Sequence, residues 1–309
     1  MQFIRGLHNL LLQRQECVAT IGNFDGVHLG HHAVLDQVKE SAKINGLIST
    51  VVIFEPQPIE YFAPDKAPSR LTRLREKLQQ FASHDIDRVV CLRFDEKLAN
   101  LSANDFVDEI LLKALAVKKL IIGDDFRFAK NREGDYQYLV KAAQEKEFEV
   151  SETNSFLLNG ERVSSTLIRQ ALADGDMTKA KQLLGRPYRI SGRVVHGDKR
   201  GRELGFATAN IQLHRYFSPI EGIFSGRVYG AAEDTLAAIV YVGSRPVFDG
   251  KRVVLEAHIL DFNQDLYGQH LQIELVEKLR GDMHFASEQE LVDQMHIDIE
   301  HARESLKRN

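Results

Sequence analysis

The spacing of hydrophobic residues changes near residue 185. In the first part of the chain, short apolar runs alternate with stretches in which apolar residues recur every three or four positions. Strands that alternate with helices predict βαβ units, and hence a parallel sheet covered by helices on both faces. The predicted strands are Cys17–Ile21, Leu47–Phe54, Asp87–Phe94, Lys118–Ile122 and Phe148–Glu152, and the predicted helices include Ala33–Lys43, Arg70–Phe81 and Asn104–Leu115.

The second part has short β patterns separated by turn residues. Consecutive strands without helices between them predict an antiparallel sheet or a small barrel. Ser287–Leu306 then reads as an amphipathic helix, expected to cap the barrel through a stripe that contains Leu291, Met295 and Ile299, and Ser287 and Glu290 fit a capping box at its start. The predicted strands are Arg189–Val195, Gly222–Tyr229, Ala237–Val242, Arg252–Leu260 and Gln272–Leu279.

The length of 309 residues allows two domains of ordinary size. We expect residues 1–185 to form an α/β, Rossmann-like domain and residues 186–309 to form a small antiparallel barrel with its terminal helix. The join falls at Gly185-Arg186-Pro187, without a flexible linker.

Charge and cysteine content narrow the classes of partner. The net charge is −4, and neither predicted domain is basic, so a nucleic-acid partner has no electrostatic support. Cys17 and Cys91 lie in apolar runs and offer no disulfide framework, which fits a reducing cytoplasm. No segment approaches 18 apolar residues, so we expect no membrane span, and no obligate protein partner is evident.

A glycine-rich turn between the first predicted strand and helix is the strongest chemical signal. It reads Gly22-Asn23-Phe24-Asp25-Gly26-Val27-His28-Leu29-Gly30-His31. Backbone N–H groups and a helix dipole at such a turn can hold phosphate. Two histidines three residues apart can both face that anion, which suits ATP chemistry at a phosphoryl group.

The element His28-Leu29-Gly30-His31 resembles the signature of the nucleotidyltransferase superfamily. Three later elements resemble the flavin adenylyltransferases in the same order: Phe54-Glu55-Pro56-Gln57-Pro58, Gly123-Asp124-Asp125-Phe126-Arg127-Phe128 and Ser164-Ser165-Thr166-Leu167-Ile168-Arg169. One departure is Ala129, where that family often has glycine. If that backbone needs a positive φ, alanine costs about 1 kcal/mol.

This resemblance implies that FMN attacks the α-phosphate of ATP, giving FAD and pyrophosphate. His28 and His31 are then the catalytic residues, stabilising charge on the phosphates. The implied ATP-binding residues are Gly22, Asn23, Phe24, Asp25, Gly26, His28, His31, Ser164, Ser165, Thr166 and Arg169. The candidate flavin-binding residues are Pro56, Pro58, Phe62, Asp125 and Phe128, of which the two phenylalanines have core packing as the competing interpretation.

A second glycine-containing segment, from His196 to Asn210, carries the candidate chemistry of the second half. Thr208 and Asn210 offer hard oxygen ligands suited to Mg²⁺ beside substrate phosphates. Further on, strand alternation places Glu256 and His258 on one face, opposite Leu255, Ala257 and Ile259. Such a polar face is either solvated or able to present a carboxylate to a substrate hydroxyl.

The segment Gly205-Phe206-Ala207-Thr208-Ala209-Asn210, the glutamate in an apolar strand and Asp265-Leu266-Tyr267-Gly268 resemble bacterial riboflavin kinase. The resemblance implies Glu256 as the base for the riboflavin hydroxyl and Thr208 and Asn210 as ligands of Mg²⁺–ATP. The implied ATP-binding residues are Gly197, Lys199, Gly201, Gly205, Thr208 and Asn210. The chain departs from the family pattern at Ala207, Tyr241 and Val247, where the family has proline, asparagine and threonine.

Taken together, the motifs resemble the bacterial bifunctional riboflavin kinase/FMN adenylyltransferases, which convert riboflavin to FMN and FMN to FAD with ATP and Mg²⁺. The nearest alternative is an adenylyltransferase whose kinase has decayed. A relative of the class I aminoacyl-tRNA synthetases needs a lysine-rich phosphate loop and a basic RNA surface, and neither is visible. A flavin-binding carrier without catalysis is the third alternative.

Overall fold

The computed structural model describes residues 1–197, 204–213, 217–247 and 250–308. These residues form two compact units, one made of Met1–Pro68 with Thr72–Val163 and the other of Ser69–Leu71 with Ser164–Asn309. The predicted domain boundary at 185/186 remains a prediction. Among the described residues, no helix is both long and apolar enough to cross a membrane.

The first unit is built on a parallel sheet of six strands in the order β1-β4-β3-β2-β5-β6. This confirms the predicted parallel α/β architecture. The five predicted strands are present with small shifts at their ends, and the structure adds β1 at the edge. The strands are β1 (Gln2–Arg5), β2 (Cys17–Ile21), β3 (Ile48–Glu55), β4 (Arg88–Arg93), β5 (Val117–Gly123) and β6 (Glu149–Thr153), followed by the hairpin β7 (Leu157–Leu158) and β8 (Glu161–Arg162).

Helices cover both faces of this sheet because alternate strand residues pack against different helices. Ala19 and Ile21 of β2 belong to a cluster with helical residues 106–115, whereas Val18 packs with Val38 and Ala42. The helices are α1 (Leu7–Leu11), α2 (Leu29–Asn45), α3 (Pro58–Phe62), α4 (Leu74–Ser83), α5 (Glu96–Ala99), α6 (Ala103–Asp105), which continues as a wider π-type segment (Phe106–Ala114), and α7 (Tyr136–Lys146), with short 3₁₀ turns at Pro64–Lys66 and Lys130–Arg132.

Arg88 is a fully buried cation at the start of β4. Its guanidinium donates to the hydroxyl of Thr50 at 3.1 Å and to the carbonyl oxygens of Gln13 (3.5 Å), Gln15 (3.3 Å) and Leu115 (3.4 Å). All four acceptors are neutral oxygens. Gln13 and Leu115 follow the C-terminal ends of helical segments, where the helix dipole favours a positive charge.

The second unit contains a closed antiparallel barrel in the order β10-β13-β12-β11-β14-β9. This confirms the predicted antiparallel barrel with a terminal helix. The elements are α8 (Ser165–Asp174), α9 (Met177–Leu184), β9 (Arg189–Val195), β10 (Ala209–Gln212), β11 (Gly222–Tyr229), β12 (Leu236–Val247), β13 (Gly250–Ile259), β14 (His270–Arg280) and α10 (Glu288–Arg308).

The terminal helix α10 is fastened to the barrel by polar contacts as well as apolar ones. Asp298, which is buried, accepts a two-pronged hydrogen bond from Arg280 of β14, with distances of 2.8–3.1 Å. The hydroxyl groups of Ser225 and Ser305 lie 2.8 Å apart. The predicted stripe of Leu291, Met295 and Ile299 is only half-buried. The buried residues of this helix are the polar Asp298 and Ser305 together with Ala302, which packs with Ile239 and Leu260.

A buried carboxylate joins three strands of the barrel. Glu274 of β14 accepts hydrogen bonds from Arg189 of β9 and from Arg227 and Tyr229 of β11, at 2.8–3.1 Å. Burial alone raises the pKa of Glu274, but the hydrogen bonds from Tyr229 and Arg189, together with the arginine charges, outweigh it and leave the pKa below its ordinary value.

This cluster predicts an acid-sensitive contribution to stability. Because the folded pKa of Glu274 is lowered, its ionised form stabilises the barrel above about pH 4.5, and the contribution is lost as pH falls through the folded pKa. We expect Glu274→Gln to cost about 1–3 kcal/mol at pH 7 and to flatten the fall in stability below pH 4.5. Urea unfolding at several pH values measures both, and an unchanged acid slope contradicts the assignment.

Ala129 lies in a strained backbone conformation. Its φ is +64° and its ψ is −177°, a region that glycine occupies much more readily than alanine. A conformational cost for Ala129 is expected from the sequence if its φ is positive, and the φ of Ala129 is positive.

Replacing Ala129 with glycine should therefore stabilise the first unit, by about 0.5–1 kcal/mol after the entropy of glycine in the unfolded chain is subtracted. Ala67→Gly is the matched control, since Ala67 has an ordinary φ of −66° and the same change there should destabilise. Equal effects of the two substitutions in chemical denaturation contradict the interpretation.

Candidate functional site

The glycine-histidine turn lies at the point where the order of the parallel strands reverses. From β2 the chain adds β3 and β4 on one side and then crosses to β5 on the other side of β2. Residues 22–31 follow β2, and residues 123–128 begin at the last residue of β5. Both segments therefore lie at the edge of the sheet where the parallel strands have their carboxyl ends. In open parallel sheets, this edge at the reversal point is where ligands bind.

His28 and His31 form a reciprocal cap at the start of α2. The Nδ1 atom of His28 accepts from the backbone N–H of His31 at 3.4 Å, and the Nδ1 atom of His31 accepts from the backbone N–H of His28 at 3.2 Å. The two rings stack with centroids 3.6 Å apart. The histidines therefore occupy the positions of a capping box, which other helices fill with serine and glutamate.

This cap determines which ring nitrogen carries the proton. An Nδ1 atom that accepts a backbone hydrogen bond is unprotonated, so the neutral ring carries its proton on Nε2. Both imidazoles can then donate from Nε2 to an oxygen anion. Gly30 makes room for this arrangement, because a Cβ at that position would lie 3.2 Å from the ring of His28.

Asp25 has a structural contact that its sequence motif does not predict. Its buried carboxylate accepts from the backbone N–H of Thr72 at 3.0 Å, and the hydroxyl of Thr72 accepts from the N–H of Gly26 at 2.9 Å. Thr72 thus fixes the middle of the turn, where Phe24, Gly26 and Val27 all have positive φ. The predicted helix Arg70–Phe81 begins at Leu74 because these preceding residues adopt a loop that serves the turn.

The serine-threonine element begins α8, as its sequence predicts. Ser164 is the N-cap residue and accepts from the N–H of Leu167 at 3.2 Å, which leaves Ser165 and Thr166 in the first turn of the helix. Arg169 donates from Nε to the carbonyl of Ser69 at 2.7 Å. Val163, just before the cap, has its carbonyl oxygen 3.6 Å from the position of a Cβ on Gly30.

The segment after β3 exposes aromatic rings. Pro58 occupies the first turn of α3, directly after Gln57, and Pro56 precedes them. Phe62, at the end of α3, is 64 % exposed and packs edge-on against Tyr61 and Phe94. An exposed ring of this kind is available to a planar ligand, as the flavin prediction for Phe62 requires.

The loop after β5 divides its predicted residues between surface and core. Asp125 is exposed and pairs with Arg162 at 3.2 Å. Phe128 is only 6 % exposed, packs on Phe106, and has its ring where a Cβ on Gly134 would stand. Phe126, which stacks on Phe128 with centroids 5.6 Å apart, is the half-exposed ring of this loop. It belongs to the family-like element of this loop, but it was not among the candidate flavin-binding residues.

In the barrel, Glu256 lies between two polar residues of the neighbouring strands. It pairs with Asn210 of β10 on one side and with Tyr241 of β12 on the other. Leu255 and Ala257 are fully buried while Glu256 is half-buried, which confirms the predicted alternation. Tyr241, one of the departures from the family pattern, is therefore a direct neighbour of the candidate base.

Glycine residues make room for both neighbours of Glu256. A Cβ on Gly197 would overlap the side-chain amide of Asn210, and a Cβ on Gly243 would overlap the hydroxyl of Tyr241. Each polar side chain thus lies directly over bare backbone. The amide of Asn210 includes one oxygen of the hard type that Mg²⁺ prefers.

Other predicted residues of the kinase half lie on the segment that leads into β10. Thr208 is half-buried just before the strand, and Gly205 has a φ of +90°. The carbonyl of the exposed Ala207 lies 2.8 Å from the Nδ1 atom of His258, which anchors this segment. Lys199 and Gly201 lie outside the described residues.

Comparison with known proteins identifies both halves. The FAD synthetase family model matches residues 11–167, and the riboflavin kinase family model matches residues 184–306.

Relatives match along nearly the whole chain. The bifunctional riboflavin kinase/FMN adenylyltransferase of Escherichia coli (strain K12) is 50 % identical over 98 % of this chain and 97 % of its own length. That of Haemophilus influenzae is 43 % identical over 98 % of both chains. Among solved structures, a protein described as a macrolide-efflux protein from Streptococcus pneumoniae superposes with a TM-score of 0.82 and 27 % identity, over 98 % of this chain and 99 % of its own. The chain therefore belongs to the family of bifunctional riboflavin kinases/FMN adenylyltransferases.

Proposed function

We propose that the chain phosphorylates riboflavin to FMN in the barrel unit and adenylylates FMN to FAD at the histidine turn. The observation that carries the proposal is that each unit holds its own constellation: two imidazoles aligned by a reciprocal cap at the reversal point of the sheet, and a carboxylate flanked by polar neighbours on the barrel. The alternative of a decayed kinase is less well supported, because Glu256, Thr208 and Asn210 are all retained and the full-length relatives carry both activities in their names.

In the adenylyl transfer, a terminal phosphate oxygen of FMN attacks the α-phosphorus of ATP. The bond to the bridging oxygen of the β-phosphate breaks, and its electron pair leaves with pyrophosphate. The Nε2–H groups of His28 and His31 donate to phosphate oxygens on which charge builds up, and this stabilisation of developing charge lowers the barrier to transfer. Ser164, Ser165, Thr166 and Arg169 hold the leaving pyrophosphate, and Phe62 lies against the flavin ring.

In the kinase reaction, Glu256 accepts the proton of the riboflavin 5′-hydroxyl as its oxygen attacks the γ-phosphorus. The bond between the γ-phosphorus and the bridging oxygen breaks, and ADP leaves. Thr208 and Asn210 are the residues that would hold Mg²⁺, which would supply positive charge beside the phosphates. Gly197 and Gly205, which lack side chains, let the backbone approach the phosphates of ATP. Lys199 and Gly201 complete the proposed ATP-binding segment.

Three finer points belong to the same proposal. The functional domains are residues 1–185 and 186–309. The protein works in the cytoplasm, in keeping with two buried free cysteines, Cys17 and Cys91. Its partners are small molecules, since its charge offers nothing to nucleic acid.

The direct test supplies the purified full chain with riboflavin, ATP and Mg²⁺. FMN should appear first and FAD second, as followed by chromatography. FAD formed from added FMN, with no FMN formed from riboflavin, leaves the decayed-kinase alternative standing.

Replacing His31 with alanine should lower FAD formation about 10²–10³-fold, because it removes a donor to the transition state. The rate of riboflavin phosphorylation should hardly change, since His31 lies in the other unit. Both rates are measured on the same preparation. An equal fall in the two rates contradicts the assignment of His31 to adenylyl transfer alone.

Replacing Glu256 with glutamine should lower FMN formation about 10²–10⁴-fold, because an amide keeps the size of the side chain but accepts no proton. Riboflavin binding and FMN adenylylation should persist. Glu277→Gln is the matched control, a partly exposed carboxylate on β14. If the Glu256→Gln enzyme phosphorylates riboflavin at the wild-type rate, Glu256 is not the general base and is an ordinary solvated residue of the strand.

A further inference from the structure

Lys77 is a lysine whose side chain is completely buried next to the histidine turn. Its exposed fraction is 0 %, and its Nζ atom donates to the backbone carbonyl of Asn23 at 2.8 Å. Burying an ammonium group costs several kcal/mol unless the surrounding groups stabilise it. A lysine on a helix normally extends its charge into water, whereas Lys77 directs its ammonium group at the backbone of the turn.

The hydrogen bond from Lys77 fixes the direction of one peptide group of the turn. The peptide between Asn23 and Phe24 is trans, so its C=O and N–H point in opposite directions. Because the carbonyl of Asn23 is held towards Lys77, the N–H of Phe24 points away from it. Phe24 has a φ of +46°, a conformation that a bulky residue keeps only when its surroundings enforce it.

The helix that carries Lys77 touches the turn at a second point. Phe81 lies one helical turn after Lys77 on α4 and meets the ring of Phe24 edge-on, with centroids 5.5 Å apart. The ring of Phe24 in turn lies 4.9 Å from the ring of His31. A charged contact and an apolar contact from one face of α4 therefore hold the backbone and the side chain of the residues that adjoin the catalytic histidine.

We infer that Lys77 is a positioning residue for adenylyl transfer. It orients the Asn23–Phe24 peptide, and it adds a fixed positive charge behind a turn that receives the triphosphate. The inference rests on the proposed function of the turn. In a poorly polarisable interior, such a charge acts on phosphate over a longer range than it does in water, and a displaced turn misaligns the reacting groups.

The test compares Lys77→Met, which removes both charge and donor, with Lys77→Gln, which keeps a donor but removes the charge. We expect Lys77→Met to lower kcat for FAD formation about 10–100-fold, the usual effect of groups that act through others. Lys77→Met should also weaken the binding of ATP and inorganic pyrophosphate, measured by calorimetry, while binding of uncharged adenosine stays within about twofold of wild type. Lys77→Gln should fall between wild type and Lys77→Met.

Measurements of stability and of the kinase rate distinguish a specific loss of adenylyl transfer from misfolding. The kinase rate of each variant reports on the other unit, and urea unfolding reports on the first. Arg88→Met is the matched control: it also removes a buried cation, but at the opposite edge of the sheet, so the folded enzyme should keep the wild-type affinity for pyrophosphate. If Lys77→Met does not fold, Lys77→Gln decides the question.

The outcomes distinguish the two proposals. If the wild-type chain forms no FAD from FMN, the proposed function fails. If the wild-type chain is active and the folded Lys77 variants keep kcat and pyrophosphate affinity within about twofold, the inference about Lys77 is wrong. An equal loss of adenosine and pyrophosphate binding also overturns it, because a purely structural role does not discriminate by charge.

Discussion

The two hydrogen bonds exchanged by His28 and His31 tie the start of a helix to the chemistry of the first unit. Each bond forms only when Nδ1 carries no proton, so the same geometry that caps α2 leaves the proton of each neutral ring on Nε2. Gly30 leaves room for the ring of His28, since a Cβ there would make a tight contact of 3.2 Å, and β2 brings the pair to the edge where the strand order reverses.

Much of the fold was predictable because burial leaves a clear pattern in the sequence. The strands β2, β9 and β11 have the predicted bounds, since apolar runs or strict alternation end there at glycine or polar residues. The predicted start of α4 was wrong by four residues. Thr72 and its neighbours have helical patterning, but Thr72 hydrogen-bonds Asp25 and Gly26 of the histidine turn instead of continuing the helix. The edge strand β1 is only four residues long, too short for a periodic signal.

The site was predictable only where a single residue carries a motif. The histidines and Glu256 stand out locally, whereas the partners that hold them come from distant parts of the chain. Lys77 looks like any surface lysine of an amphipathic helix, and only tertiary packing buries it. Tyr241 was visible as a departure, but its position opposite Glu256 depends on strand register, which the sequence period does not determine.

The solvation of Arg88 has a consequence for the first fifteen residues. Two of the four oxygens that replace water around this guanidinium belong to Gln13 and Gln15, in the connection between α1 and β2. The N-terminal segment is therefore part of the solvation shell of a charge inside the sheet. A chain shortened to begin at β2 would lack two of the four acceptors of this guanidinium. A lysine at position 88, with three donors around one nitrogen, does not reproduce the fork that reaches all four acceptors. Because both N-terminal acceptors are backbone oxygens, Arg88 constrains the path of this connection rather than the identity of its side chains.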